Sequence, residues 1–207
     1  MAIKPILFNT EMVKAILEGR KTQTRRIAFP RNDLREFDHP PYTHWFRGRA
    51  YKSFDSFLKD CQTPKCKYLP GDILWVRETW STTDKCGLFP PWPSNGTHYM
   101  YKGDSLEQEL IKEARWFPSI HMPKEAARIF LRVKDVRMER LQDMDEEAAI
   151  AEGFADSPAG TDSPLLRFTE LWDKTVKRDD LREFGYHANP WIWVIEFERC
   201  EKPEGWC

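Results

Sequence analysis

The sequence lacks any long apolar run. Its apolar stretches fall short of the about 18 residues that a membrane-spanning helix needs, and its first residues lack the charged-then-apolar pattern of a signal peptide. An excess of one charge is also lacking, because 32 Lys and Arg stand against 33 Asp and Glu in 207 residues, a formal net charge of −1. No overall field therefore draws the chain to nucleic acid or to an anionic membrane. We expect a cytoplasmic protein with no membrane partner, in which any anion binding is local.

Cysteine is scarce and odd in number. The five cysteines are Cys61, Cys66, Cys86, Cys200 and Cys207. These spacings do not indicate a disulfide framework. The first three with His98 can in principle form a zinc site, but the spacing is looser than a zinc ribbon demands. We expect reduced, unligated thiols and neither a metal nor another cofactor.

A basic stretch at residues 19–26 follows a short amphipathic helix. Asn9 or Thr10 can cap that helix, and Gly19 supplies the usual C-terminal stop. The stretch then carries four cations and two hydroxyls, namely Arg20, Lys21, Arg25, Arg26, Thr22 and Thr24.

Alternation along an extended segment divides this stretch into two faces, with Thr22, Thr24 and Arg26 on one and Lys21, Gln23 and Arg25 on the other. A nucleophilic hydroxyl and a cation can therefore sit close together. A cluster of Lys and Arg after a helix is most often a solvated surface that complements the helix C-terminus. Composition alone therefore indicates no more than a basic patch.

The remaining pattern predicts an α+β fold in one domain. Residues 28–69 have several prolines and no clean period, so we expect an insertion loop with a short helix near 53–59. A second insertion loop is expected at 79–96, and residues 202–205 are expected to be disordered. The predicted strands are 73–76, 98–102, two segments of 127–141 separated by a phase shift near Asp135, and 190–197. The predicted helices are 106–114, 143–152 and 163–177. About five or six strands with flanking helices suit a partly open barrel.

Two aromatic segments are candidates for binding. Arginine interleaved with aromatics at 44–49, including Trp45 and Phe46, suits a single-stranded nucleic acid, because rings stack on bases while guanidinium groups meet phosphate. Packing against the rest of the domain is the alternative, and we favour it because such rings are mostly buried. Residues 115–123, kept extended by prolines, contribute Trp116 and His121. For His121 a packed structural role is the alternative to function.

Two glutamates stand at the ends of predicted elements. Glu78 follows the strand at 73–76 and is either the ion-pair partner of a cation such as Arg77 or Lys21, which we favour, or a second carboxylate in the site. Glu152 lies at the last turn of a helix, where the dipole disfavours a carboxylate, so a cation or a task elsewhere would account for it. The alternative is an ordinary exposed Glu before a C-terminal glycine.

Gly19, Lys21 and Arg26 fit the G-x-K-x-x-x-x-R signature of ASCH domains, a small β-barrel family related to the PUA group of RNA-binding modules. Residues 4–8, 70–78 and 191–197 also resemble this family, in particular its larger members from bacteria and their prophages. The likeness covers most of the chain and is weakest over residues 28–69. It implies a PUA-like, partly open barrel over residues 1–207.

The site motif further resembles that of acetylcytidine amidohydrolases within this family. Carried over by that resemblance, the catalytic residues are Lys21, Thr24 and Glu152. Many other ASCH proteins have a glutamate where Thr24 stands, so the hydroxyl is a departure toward the hydrolase. The remaining candidates, which we expect to line the substrate site, are Arg20, Arg25, Arg26, Glu78, Trp116 and His121.

Amide hydrolysis needs a nucleophile, a base for its proton and an acid for the leaving amine. Thr24 would be the nucleophile, activated by Lys21 if burial or the neighbouring arginines lower the lysine pKa. Glu152 would orient Lys21 or protonate the leaving nitrogen, and Arg26 or a backbone amide would hold the oxyanion. Two other functions stay open: a non-catalytic module that binds RNA or a modified nucleoside, and a ribonuclease that stabilises charge on a scissile phosphate. No protein partner is predicted.

Overall fold

The structure is a computed structural model that describes residues 1–29, 34–39, 41–60, 65–82, 99–104, 114–154 and 163–206, with only the backbone at 37–39. Within these ranges no helix combines the length and the apolar composition that crossing a bilayer requires.

The described residues form ten strands and five α-helices. The strands are β1 (Ile3–Leu7), β2 (Gln23–Ile27), β3 (Leu34–His39), β4 (Tyr42–Phe46), β5 (Arg49–Tyr51), β6 (Ile73–Arg77), β7 (Trp80–Thr82), β8 (Tyr99–Tyr101), β9 (Phe130–Arg140) and β10 (Trp191–Cys200). The helices are α1 (Thr10–Leu17), α2 (Phe54–Lys59), α3 (Glu146–Ala151), α4 (Pro164–Thr175) and α5 (Leu181–Phe184). Strand orders are β1-β6-β9-β10-β2, β3-β4-β5 and β7-β8.

The chain divides into two compact units, each built from separate segments. The first comprises Met1–Thr22, Pro70–Lys134 and Phe197–Cys207, and the second comprises Gln23–Leu69 and Asp135–Glu196. β9 and β10 are therefore each shared, because one part of each strand belongs to each unit.

In the first unit, β1 runs parallel to β6, and β6 pairs antiparallel with β9. Asn9 begins α1, since its side-chain oxygen accepts a hydrogen bond from the Met12 amide at 2.8 Å. The helix buries Val13, Ala15 and Ile16. The amphipathic helix predicted before the basic stretch is confirmed.

In the second unit, β2 pairs antiparallel with β10, from Gln23 opposite Glu196 to Ile27 opposite Ile192. β4 lies between β3 and β5 in an antiparallel sheet. Apolar side chains from the two residues after β2, from this sheet, and from α2, β9 and β10 form one buried cluster. It consists of Ala28, Phe29, Leu34, Phe46, Tyr51, Phe57, Met138 and Trp191. Burial of these apolar side chains stabilises this unit.

The mixed α+β class is confirmed. The described strands occur in three sheets and do not form a closed barrel, and they outnumber the five or six that the sequence predicts. The PUA-like barrel and the single domain stay predictions. The predicted helices at 143–152 and 163–177 correspond to α3 and α4, whereas the one at 106–114 lies almost wholly outside the described residues.

Residues 28–69 are more regular than expected. The expected helix at 53–59 is α2, which Ser53 caps by accepting a hydrogen bond from the Ser56 amide at 3.2 Å. The surrounding stretch contains β3, β4 and β5 instead of an irregular loop. The sequence shows no alternation of apolar and polar residues here, because Trp45 and Phe46 place aromatic rings on opposite faces of β4. The predicted loop at 79–96 begins with β7, and its residues 83–96 lie outside the described part.

The expectation of a disordered tail was wrong, because residues 201–205 lead to a packed tryptophan. The ring of Trp206 lies 5.7 Å from that of Trp75 and 5.3 Å from that of Phe130, between centroids. The Lys124 ammonium sits 4.2 Å from the same indole. Aromatic packing on the strands of the first unit thus outweighs the polar composition of the tail.

We expect Trp206→Ala to lower the free energy of unfolding by about 3 kcal/mol, because it removes a large side chain packed against two other aromatic rings. Urea denaturation followed by circular dichroism measures this change. The matched control is Trp45→Ala, since Trp45 is 42% exposed and should lose less than about 1 kcal/mol. Equal losses in the two variants would show that Trp206 is not part of the packed structure.

Candidate functional site

The end of α1 directs the basic stretch. Gly19 has φ +78°, a conformation that favours glycine. Beyond it, the backbone amides of Arg20 and Lys21 donate to the Ala15 carbonyl at 2.9 and 3.0 Å. These bonds satisfy a carbonyl at the end of the helix and fix the first two cations of the stretch on the first unit.

Lys21 and Arg20 have opposite environments. Arg20 is exposed and forms an ion pair with exposed Glu18, an arrangement that contributes little to stability. Lys21 is buried, and its ammonium lies 5.4 Å from the centroid of the Phe8 ring. Buried lysines are rare. Lys21 is therefore not part of a solvated helix end, which was the alternative interpretation of the basic stretch.

β2 carries Thr24, Arg25 and Arg26 in the second unit. Thr24 and Arg25, neighbours that leave a strand on opposite faces, are both buried, whereas Arg26 is partly buried. β2 is therefore covered on both faces at these positions. Strand alternation places Thr24 and Arg26 on one face and Arg25 on the other, as predicted.

Glu152 is buried at the C-terminal cap of α3. Its backbone amide donates to the Ala148 carbonyl at 3.0 Å, and Gly153, with φ +100°, follows it. Nη1 of Arg25 donates to Oε1 of Glu152 at 3.3 Å, and the two side chains are only 1% and 5% exposed. A cation thus accounts for the carboxylate at this helix end, as one of the sequence interpretations required. The alternative of an ordinary exposed glutamate was wrong.

Arg26 belongs to the same charged group. Burial lowers the pKa of its guanidinium, and the Glu152 carboxylate and the Tyr68 phenol act in the opposite direction. The net effect is downward, so the compensation does not fully offset the cost of burying the cation. An additional anion next to this group would favour the charged form of Arg26.

Glu78 belongs to an ion-pair cluster in the first unit. Nε and Nη2 of Arg128 donate to its two carboxylate oxygens at 2.9 and 3.0 Å. Arg128 also pairs with Asp104 at 2.7 Å, and its guanidinium lies 3.8 Å from the centroid of the Tyr101 ring. The ion pair that we favoured for Glu78 is therefore confirmed, although with Arg128, which the sequence had not suggested. A role for Glu78 in substrate binding stays a prediction.

The two members of this pair have pKa values raised for different reasons. Burial raises the pKa of Glu78 and outweighs the opposite effect of the Arg128 hydrogen bonds. For Arg128 burial acts downward, but its bonds to Glu78 and Asp104 raise the pKa overall. Glu78 is the more deeply buried partner, so the cost of desolvation falls mainly on the carboxylate. Burial also raises the pKa of Tyr101 to about 12.

Trp116 and His121 lie in the first unit outside regular strands. Trp116 is partly buried, and His121 is exposed in a 3₁₀ turn at Ser119–His121. The turn interrupts the extended conformation that the prolines led us to expect. The structure gives His121 no specific binding geometry, and both residues stay predictions as substrate contacts.

Some of the predicted site residues have buried polar side chains. Within the described ranges the buried polar residues are Lys21, Thr24, Arg25, Asp72, Glu78, Ser81, Thr82 and Glu152. All three predicted catalytic residues are among them. The sequence missed Arg128 and Tyr68, because an arginine in an alternating strand and an isolated tyrosine have no pattern that separates a site residue from a surface one.

Groups of three or more side chains able to hold a metal ion do not occur within the ranges that the structure describes. Of the zinc ligands that we considered, Cys61, Cys86 and His98 lie outside those ranges. Cys66 is partly buried.

No protein-family model matches the sequence, and no curated protein matches it. A solved structure described as "High resolution crystal structure of ASCH domain from Lactobacillus crispatus JV V101" is similar to the chain, with a TM-score of 0.44 and 11% sequence identity, over 96% of this chain and 79% of the other.

We expect Glu152→Ala to lower the free energy of unfolding by about 3 to 5 kcal/mol, because it leaves the Arg25 guanidinium buried without its carboxylate. The control is Glu198→Ala, whose ion pair with Lys134 is exposed at 3.8 Å and should contribute less than about 1 kcal/mol. Urea denaturation of both variants gives the comparison. A loss in Glu152→Ala no larger than in the control would contradict the buried pair.

Glu78 should make stability depend on pH in a defined direction. Because its folded pKa is raised, the neutral carboxyl favours the folded state. That contribution is complete below the ordinary glutamate pKa of about 4.3 and is lost as pH rises through the raised value. The unfolding free energy of the wild type minus that of Glu78→Gln should therefore fall as pH increases from about 4. Glu125→Gln, at an exposed position, is the control. A difference that grew with pH would overturn the assignment.

Proposed function

We propose that the protein is an ASCH-type amidohydrolase that binds a modified nucleoside, alone or within RNA, and removes the acetyl group from the exocyclic nitrogen of acetylcytidine. Lys21, Thr24 and Glu152 are the residues that we assign to the reaction. The assignment of substrate and family comes from the motif around Gly19, Lys21 and Arg26, and burial of the three residues supports it.

The observation that carries the proposal is this burial. Lys21 is 3% exposed, Thr24 is 2% exposed and Glu152 is 4% exposed. A lysine, a hydroxyl and a carboxylate are costly to bury unless they are paired or hydrogen-bonded. Buried, charged residues with specific partners are candidates for a functional site, because charge interacts more strongly where water is excluded.

The reaction proceeds by acyl transfer in two steps. The Thr24 hydroxyl attacks the acetyl carbonyl while the neutral amine of Lys21 takes its proton. The tetrahedral intermediate then collapses, the C–N bond breaks, and the proton passes from Lys21 to the leaving exocyclic nitrogen of cytidine. Water, deprotonated by the same lysine, next hydrolyses the acetyl ester on Thr24 and releases acetate.

Arg25, Arg26 and Glu152 supply the electrostatic part. Arg26 shares a face of β2 with Thr24 by strand alternation, so we assign it to the oxyanion. Arg25 leaves the other face and holds Glu152 at 3.3 Å. This contact makes Glu152 the carboxylate that positions and partly neutralises the two arginines, a role that we prefer to protonation of the leaving nitrogen.

Purified wild-type protein should release acetate from acetylcytidine. We expect Thr24→Ala and Lys21→Ala each to lower kcat/KM by about 10²- to 10⁴-fold, since one removes the nucleophile and the other the base. The matched control is Thr22→Ala. Thr22 is exposed two residues earlier, and its hydroxyl should change kcat/KM by no more than about twofold.

The variants also separate the alternatives. Undiminished acetate release by Thr24→Ala would refute the mechanism. Wild-type protein that releases no acetate but shortens RNA on incubation would be a ribonuclease. Salt-sensitive RNA binding without turnover would indicate a binding module. Circular dichroism of each variant shows whether a loss of activity reflects a loss of fold.

A further inference from the structure

The sheet formed by β3, β4 and β5 has one exposed face that the proposed reaction does not use. Arg35 lies directly opposite Trp45 on the neighbouring strand, and Ala50 lies opposite Trp45 on its other side. Directly opposed residues share a face of the sheet. Trp45 is 42% exposed, and Arg35 is exposed beside it. We call this face, defined by Arg35, Thr43, Trp45 and Ala50, the outer face.

The opposite face of the same sheet is fixed in the core. Phe46 is buried there, with its ring 5.2 Å from that of Phe29 and 5.4 Å from that of Phe57. The sequence made Trp45 and Phe46 candidates for stacking on a base. The buried position of Phe46 shows that its role is structural. The packing of Phe46 fixes β4 in position, and the Trp45 side chain on the other face of the strand stays accessible to solvent.

Charge next to this face is favourable for an anion. The sequence from 34 to 69 holds seven Lys and Arg and four Asp and Glu, in a chain whose formal net charge is −1. At the β4–β5 turn, the Arg47 guanidinium lies 5.1 Å from the centroid of the Phe46 ring, which belongs to the opposite, buried face. On the outer face the exposed indole of Trp45 lies beside Arg35. This pair provides a surface for a base and a cation for a neighbouring phosphate.

We propose that the outer face is a stacking platform for single-stranded RNA. Trp45 stacks on an unpaired base, and Arg35 contacts a neighbouring phosphate. If the protein is the proposed amidohydrolase, this platform specifies its substrate as acetylcytidine within an RNA strand. A free nucleoside has neither the phosphates nor the neighbouring base that this face would contact.

Binding of a short fluorescein-labelled single-stranded RNA, followed by fluorescence anisotropy, tests the platform. Trp45→Ala should raise Kd about 5- to 100-fold, the loss of one base stacked on an aromatic ring. Trp45→Phe should retain most of the affinity, since the ring is kept. Arg35→Gln should weaken binding and reduce the slope of log K against log salt by about one.

Matched controls lie elsewhere on the second unit. Leu69→Ala removes another exposed apolar side chain, and Arg182→Gln removes another exposed arginine. Both should bind RNA like the wild type. Wild-type protein that fails to bind the strand, or a Trp45→Ala variant that binds as tightly as the wild type, would overturn the platform.

Acetate release by the wild-type protein, measured separately with free acetylcytidine and with a short RNA that contains acetylcytidine, keeps the two proposals apart. No release from either substrate together with weakened RNA binding in Trp45→Ala supports the platform and refutes the hydrolase. Release together with unchanged RNA binding in Trp45→Ala supports the hydrolase and refutes the platform.

Discussion

The cost of burying charge is the constraint on which the rest of this protein depends. Arg25 and Glu152 are both nearly inaccessible to water and meet at 3.3 Å, so β2 and the end of α3 must be held in register for either charge to be tolerated. Arg128 and Glu78 impose the same requirement on the first unit, through two hydrogen bonds. Replacing either pair with apolar residues of similar volume can be neutral or stabilising.

Local pattern predicted the elements whose signals are contained within a few residues. α1 could be placed from Asn9, its apolar spacing and Gly19, and β10 from its dense run of aromatic and β-branched residues. The sheet β3-β4-β5 could not, because strands of three to six residues in which Trp45 and Phe46 point to opposite sides show no contrast between faces. The tail was misjudged because its composition is polar, whereas its placement is decided by one ring, that of Trp206.

In the candidate site, too, local sequence features predicted some residues, whereas contacts between distant residues could not be predicted. A motif brought Lys21, Thr24 and Arg26 to attention, and the position of Glu152 at a helix end indicated that a cation should be nearby. Arg25 as that cation, and Arg128 as the partner of Glu78, depend on contacts between residues 127 and 50 positions apart. Spacing along one sequence carries no information on such contacts. Whether an arginine lies on the surface or in an ion pair is decided by tertiary packing.

The segmental construction of the two units has a consequence for synthesis. Trp206 packs against Trp75 and Phe130, so the core of the first unit contains a residue translated long after α1 and β1. The core of the first unit cannot be completed until residues 197–206 have been synthesised. Its apolar surface therefore stays exposed while the second unit is translated. Contacts this distant in sequence slow folding, and partly built intermediates with exposed apolar surface are prone to aggregate. A nascent chain of this kind would benefit from a chaperone until residues 197–206 have left the ribosome.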